Sequence, residues 1–214
     1  MEVEEWWNSI PIITKTWLTL AFATAVAVTF ELVSPLRLYL DFNLAFNRGQ
    51  WWRLLTTFIF FDKLGVGFFF HAHFLYFYCR RLEEHFYLRR TGDFLFSLLV
   101  AAGALMAIAP YFDMMFLSSP MVMVVLYLWA RRFPMELLQI YGLVTVTSAY
   151  LPYFLTFLTY MMAGYDHALM DVLAICIGHC IWYLADVLPQ ITGVHLMSPS
   201  FFTNLFLGNR NAVQ

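Results

Sequence analysis

The chain has 214 residues, of which 62% are apolar and only 12% are charged. A soluble domain of this size would leave much of its apolar surface exposed, so the composition indicates an integral membrane protein. The formal charge is -2 and the cations are scattered, which excludes a nucleic-acid-binding surface. Cys79, Cys176 and Cys180 all lie in apolar runs, so we expect small buried thiols and no disulfide framework.

The first residues predict a short helix along the membrane surface. Residues 1–16 combine three glutamates with Trp6, Trp7 and several isoleucines, a mixture that favours lying along the membrane over crossing it. A cleavable signal peptide would begin with basic residues, so we expect the first span to be retained.

Six apolar runs predict an all-α membrane domain with six transmembrane helices over residues 17–189. The predicted spans are residues 17–33, 64–79, 94–112, 114–130, 140–164 and 168–188, followed by a cytosolic tail at 190–214. Several spans are shorter than the roughly 20 residues that cross a hydrocarbon core of ~30 Å. We therefore expect the bilayer to be thinner around the protein.

The long gap between the first two spans, residues 35–63, contains the pair Trp52 and Arg53 directly after Trp51. Indole rings and a guanidinium suit the headgroup boundary, where the rings contact lipid and the arginine reaches water. The gap therefore predicts a membrane-embedded or interfacial loop. One interpretation is that the pair anchors this loop as part of an aromatic belt.

The positive charges predict the orientation. Four cations fall in the loop, whereas eight fall on the other predicted side, which places both termini in the cytosol. Those eight are Lys15, Arg80, Arg81, Arg89, Arg90, Arg131, Arg132 and Arg210. The run from Arg80 to Arg90, which includes Glu83, predicts a solvated collar after the second span.

The predicted sixth span carries most of the polar groups at membrane depth, and Asp171 and His179 are the candidates for a polar cavity. Asp171 either lines a water-filled recess or bonds hydroxyl groups of the fifth span. Ala174 and Gly178 form a small-xxx-small pair that predicts close docking onto a neighbouring helix, unless the spacing is coincidental. His179 shares a helical face with Cys176 and Cys180, but a metal would need a fourth ligand, so we expect no metal site.

Short motifs occur in the same order along the chain as in a known superfamily. They are Trp52-Arg53, Tyr78-Cys79-Arg80, Arg90-Thr91-Gly92-Asp93, Val125-Leu126-Tyr127-Leu128-Trp129, Ala149-Tyr150-Leu151-Pro152, Gly178-His179, Tyr183-Leu184-Ala185-Asp186 and Ser198-Pro199-Ser200-Phe201-Phe202. With six predicted spans, the chain resembles the rhomboid superfamily and, more narrowly, the Derlin family. The resemblance implies a rhomboid-like fold in the endoplasmic reticulum membrane, with the first loop at Trp52 and Arg53 held rigid at the lumenal face.

The same resemblance bears on catalysis, because rhomboid proteases use a serine between glycines in the fourth span and a histidine in the sixth. Here the element reads Leu117-Ser118-Ser119-Pro120, and Asp171 stands at the histidine's position. A carboxylate is a poor proton shuttle at neutral pH, so we expect no catalytic residues and no enzyme. His71 and His73 are expected to be hydrogen-bonded groups within the bundle.

The Derlin resemblance implies a part in endoplasmic-reticulum-associated degradation, the retrotranslocation of misfolded proteins to the cytosol, and a link to the unfolded protein response. The implied partners are misfolded client proteins, a membrane ubiquitin ligase complex, membrane lipids, a homo- or hetero-oligomer and a cytosolic AAA unfolding ATPase reached indirectly. No cofactor is implied. A scaffold that assembles degradation partners, and an active intramembrane protease, are the alternatives.

Overall fold

The computed structural model describes residues 3–88, 90–140 and 144–192, which are mostly helical. Arg89, Arg210, the Ser198-Pro199-Ser200 motif and most of the predicted tail lie outside this part. Ten α-helices occur in it. They are α1 (Val3–Ser9), α2 (Ile12–Thr29), α3 (Phe42–Asn47), α4 (Trp52–Ile59), α5 (Val66–Arg81), α6 (Thr91–Ile108), α7 (Ser118–Arg132), α8 (Leu151–Ala163), α9 (Tyr165–Trp182) and α10 (Leu188–Thr192).

Three of the described helical segments are long and apolar enough to cross a membrane, namely Ile12–Thr29, Thr91–Tyr111 and Tyr165–Thr192. These correspond to the first, third and sixth predicted spans. The helices at the second, fourth and fifth, α5, α7 and α8, have only 16, 15 and 13 residues. The protein is therefore a mostly helical membrane protein with three full-length candidate spans.

The chain divides into two compact units. The first comprises Met1–His85 and Ala102–Val122, and the second comprises Phe86–Ala101 and Met123–Gln214. In the first unit, Ala21 and Ala25 of α2 are fully buried and cluster with Phe68 of α5. Because these alanines lie one turn apart and have short side chains, they allow α5 to approach α2 closely.

The second unit contains the antiparallel pair α8 and α9, joined at Gly164. Gly164 has a φ angle of 88°, which favours glycine because it lacks a Cβ atom. Residues 123–130 of α7, which also belong to this unit, are all buried. A helix segment that is apolar on every side is typical of a buried position.

The start of the predicted fifth span is wrong. Instead of a helix from residue 140, Leu137–Ile140 and Val144–Thr147 form antiparallel strands β1 and β2, with Leu137 opposite Thr147. The β2 sequence Val-Thr-Val-Thr alternates apolar and polar residues with the period of a strand. The helix follows only at α8, so the fold includes a β-hairpin that the all-α prediction missed.

The sixth predicted span continues past Pro189, where the sequence predicts its end. Between α9 and α10 the chain makes a π-helical segment, Tyr183–Val187, and helix continues to Thr192. A proline inside a helix lacks an N–H donor and its ring collides with the preceding turn. The wider π-helical turn lies directly before Pro189 and provides room for that ring.

Candidate functional site

The loop between α2 and α5 is folded around Arg53. Its side chain is only 5% exposed, and the Nη1 atom donates to the carbonyls of Leu36 and Tyr39, both at 3.0 Å. The Nε atom donates to Gln50 Oε1 at 2.7 Å. The prediction that the guanidinium of Arg53 reaches water is therefore wrong, because Arg53 is buried and donates hydrogen bonds to backbone carbonyls of the same loop.

Three side chains of α4 together satisfy four consecutive carbonyls. Arg53 donates to the carbonyls of residues 36 and 39. Trp52 Nε1 donates to the carbonyl of Arg37 at 3.3 Å. Thr56 Oγ1 donates to the carbonyl of Leu38 at 3.0 Å. These carbonyls belong to a 3₁₀ turn at Pro35–Arg37 and the residues just after it. The turn would otherwise leave its last carbonyls without partners. We call residues 52, 53 and 56 the carbonyl clamp.

The tryptophans of this loop remain at the surface. Trp51 and Trp52 are both more than half exposed, and only Trp52 joins the clamp. Exposed indole rings beside a buried cation fit a loop whose outer face contacts the headgroup region. The indole rings therefore lie at the surface of the loop, and the guanidinium lies inside it.

Glu83 is a residue whose role the sequence did not reveal. Its carboxylate accepts hydrogen bonds from the backbone N–H groups of Ile13 and Thr14, both at 3.1 Å, and from Thr14 Oγ1 at 2.9 Å. The carboxylate therefore caps the first turn of α2, where N–H groups lack helical partners. Burial raises the pKa of Glu83, and the three hydrogen bonds oppose that rise.

The expected solvated collar is accordingly wrong at Glu83, which is 5% exposed. The sequence spacing could have indicated that Glu83 is buried. Leu75, Cys79 and Leu82 lie at spacings of four and three residues, so they share one helix face, and all three are fully buried. Glu83 lies four residues after Cys79 and continues that face. Arg80 and Glu84, in contrast, form an ion pair of 2.7 Å on the partly exposed side.

In the first unit, a serine of α7 lies beside a histidine of α5. Ser119 Oγ is 3.1 Å from His71 Nε2, and His71 Nδ1 is 2.9 Å from the carbonyl of Gly67. A carbonyl only accepts, so Nδ1 carries the hydrogen and Nε2 accepts from the serine hydroxyl. Ser118 is buried and donates to the carbonyl of Phe60 at 2.6 Å.

In the second unit, Gly178 faces the ring of Tyr127. A Cβ atom on Gly178 would lie 3.0 Å from Tyr127 Cδ1, closer than side chains normally pack. Ala174, one turn earlier on α9, is fully buried. The two small residues therefore lie on the buried side of α9, with Gly178 where α7 comes nearest.

The polar residues Asp171 and His179 lie apart along α9. Asp171 is buried, whereas His179 is exposed and its Nδ1 atom lies 2.7 Å from the hydroxyl of Tyr127. Eight residues separate the two, or about 12 Å along a helix. Cys176 and Cys180 are also exposed, so the expectation of buried thiols holds only for Cys79.

The basic residues at the end of α7 differ in their partners. Arg132 pairs with Asp186 at 3.0 Å and stacks 3.8 Å from the centre of the Phe86 ring. Arg131 Nε donates to the Tyr127 hydroxyl at 2.7 Å, and Nη2 donates to the Tyr153 hydroxyl at 3.3 Å. One guanidinium is thus neutralised by a carboxylate, while the other is held by phenols.

The fold and these sites define a helical membrane protein whose first loop is fixed by an arginine. A model of the Der1-like family matches residues 10–200. The chain is 37% identical to Derlin-2.2 of Arabidopsis thaliana over 95% of its length and 88% of that protein. It is 34% identical to the probable derlin-2 homolog of Dictyostelium discoideum over 98% of its length and 85% of the relative. The chain belongs to the Der1-like, or Derlin, family.

Proposed function

We propose that the protein is a non-catalytic component of endoplasmic-reticulum-associated degradation, with six spans and cytosolic termini, that helps misfolded proteins cross the membrane to the cytosol. Family membership supports this role. The observation that carries the mechanism is the shortness of α8. Its 13 residues measure about 20 Å, against a hydrocarbon core of ~30 Å.

The physical step is a lowered barrier for polar chain segments. An N–H or C=O group that enters hydrocarbon without a hydrogen-bond partner costs several kcal/mol. Helices of 13, 15 and 16 residues draw the two headgroup layers together, which shortens the apolar distance a client must cross. The unfolding force would come from a cytosolic AAA ATPase reached indirectly, and ubiquitin would come from a membrane ubiquitin ligase complex.

The carbonyl clamp supports the same role by fixing the first loop. An unclamped loop would expose carbonyls 36–39 to lipid or to a passing client chain. The test replaces Arg53 with alanine in cells that lack the endogenous protein and follows the half-life of a misfolded lumenal substrate. We expect slower turnover at equal protein level.

Arg48→Ala is the matched control, because Arg48 lies in the same loop and is exposed. Unchanged turnover with Arg53→Ala would remove the loop from the mechanism. Photocrosslinking of a stalled client separates passage from scaffolding. A scaffold would retain its partner proteins and show no crosslinks from the client to residues near Asp171.

One contact favours a second candidate, serine hydrolysis. Ser119 and His71 have the hydrogen-bond geometry of a nucleophile and its base. The next residue, Pro120, has no N–H group to stabilise an oxyanion, which weakens this candidate. A fluorophosphonate probe decides between the two. Labelling of Ser119 that His71→Ala abolishes would overturn the non-catalytic role, and we expect none.

A further inference from the structure

An open groove runs between α8 and α9 in the second unit. It has a volume of about 420 Å³ and is wide open on its outer side. Its walls are almost entirely apolar and include Tyr153, Phe157 and Tyr160 of α8 and Leu169 and Val172 of α9. From Tyr153 to Tyr160 the groove extends about 10 Å along the helix, most of the ~15 Å depth of one leaflet's hydrocarbon.

A positive charge lies at one end of this groove. The Tyr153 hydroxyl that accepts from Arg131 belongs to a residue of the groove wall. Arg131 also lies 5.1 Å and 5.3 Å from the ring centres of Tyr127 and Trp182. Aromatic rings and hydroxyls thus hold the guanidinium in place without cancelling its charge.

No carboxylate within the described ranges forms an ion pair with Arg131. Its neighbour Arg132 shows the contrast, because Asp186 neutralises it. Arg131 is partly exposed, and its Nε and one Nη2 hydrogen are used, so Nη1 remains available to an acceptor. An uncompensated guanidinium at the end of an apolar groove is complementary to a molecule with an anionic head and a hydrocarbon tail.

We propose that this groove binds an anionic phospholipid, with the phosphate on Arg131 and one acyl chain between α8 and α9. The phosphate accepts hydrogen bonds from the free guanidinium edge. The acyl chain replaces bulk lipid against the exposed rings of Tyr153, Phe157 and Tyr160. The inference concerns lipid binding and stands whether or not clients cross the membrane here.

The test uses the full chain in phosphatidylcholine nanodiscs that contain a trace of photoactivatable lipid. One probe is phosphatidylserine with a diazirine on its acyl chain, and the other is phosphatidylcholine with the same chain. Mass spectrometry then quantifies crosslinked peptides from residues 151–182. One basic residue near the surface favours anionic lipid by ~1 kcal/mol, so we expect phosphatidylserine to label these peptides about fivefold more than phosphatidylcholine.

Two pairs of variants assign the effect. Arg131→Gln should bring the labelling ratio of the two lipids to about one, whereas Arg131→Lys should keep most of the preference. Val172→Trp fills the groove and should reduce labelling by both probes. Val100→Trp is its matched control, because Val100 of α6 is 43% exposed and Val172 is 44% exposed.

Equal labelling of the wild-type chain by both lipids would overturn the proposal, and that result needs no variant to fold. A ratio unchanged by Arg131→Gln would also overturn it. Soluble glycerophosphoserine should not compete, because it lacks the acyl chain that occupies the groove. Competition by it at millimolar concentration would mean that a headgroup alone binds, which contradicts the role of the groove.

Discussion

Three positions show how single residues support the backbone: Arg53, Glu83 and Gly178. The first two satisfy backbone groups with their side chains, and the third lets another side chain approach the backbone. Arg53 satisfies two carbonyls of the first loop, and Glu83 satisfies two N–H groups of α2. Gly178 has no side chain and allows the ring of Tyr127 to approach. Buried backbone groups without partners are costly in a low-dielectric interior, so single substitutions at these positions have measurable effects.

Glu83 predicts a pH-dependent stability. Burial raises its pKa in the folded protein, so folding favours the protonated carboxyl group. Its contribution to stability is fully present below the carboxyl pKa of the unfolded chain and falls as pH rises through the higher folded pKa. The thermal midpoint of the wild type, relative to Glu83→Gln, should therefore fall as the pH rises above about 4.5, the ordinary pKa of the carboxyl group. Thermal unfolding of both proteins in detergent at a series of pH values measures this change in the midpoint.

Glu5→Gln is the control for that series, because Glu5 lies on the exposed surface of α1. If the difference in thermal midpoint between wild type and Glu83→Gln stays constant with pH, the carboxyl group has the same pKa in the folded and unfolded states. That result would contradict the prediction.

Gly178→Ala should destabilise the protein by about 1–3 kcal/mol through overpacking. The new methyl group would lie 3.0 Å from a Tyr127 ring that is itself buried and tethered to His179 and Arg131, so the ring has little room to move. Gly103→Ala in α6 is the matched control, since nothing lies within 4 Å of the added atom. Better helix propensity should leave that control as stable as wild type or more so. Equal midpoints for both variants would contradict the close approach.

At the scale of the helices and strands, the apolar runs of the sequence predicted most of the long helices. They did not predict the β-strands or the carbonyl clamp. Runs 94–112 and 114–130 overlap α6 and α7, because a continuous apolar run of this length favours a helix that satisfies its own backbone groups. Residues 144–147 lie in the run predicted as the fifth span, but their alternation of apolar and polar side chains belongs to a strand. The carbonyl clamp was unpredictable because its acceptors are backbone atoms, which every residue possesses.

The hairpin predicts that residue 145 is accessible to water while α8 is not. A cysteine at Thr145, in a background without the three native cysteines, should react with a membrane-impermeant maleimide applied to opened vesicles. A cysteine at Phe157 should remain unlabelled, because that exposed position lies in the helix assigned to lipid. If the cysteine at Thr145 does not react with the maleimide, residue 145 lies in the membrane. That result would contradict the shortened helix.

At the scale of the whole molecule, helix length predicts which bilayer suits the protein. In the proposed six-span arrangement, three full-length candidate spans occur together with helices of about 20–24 Å, so no single thickness matches every helix. Each ångström of mismatch costs a fraction of a kcal/mol, and the short helices favour thin bilayers. The thermal midpoint should be higher in dimyristoleoyl than in dioleoyl phosphatidylcholine. A higher midpoint in the thicker lipid would contradict local thinning.

The cap that Glu83 places on α2 also has a consequence for biosynthesis. The opening turn of the first membrane helix acquires its hydrogen-bond acceptor about 70 residues later in the chain. During translation that turn stays incomplete until the ribosome has released α5 and the residues just beyond it. The first two hydrophobic segments therefore mature as a pair, and a truncated nascent chain that stops before residue 83 holds a first helix with an unfinished end.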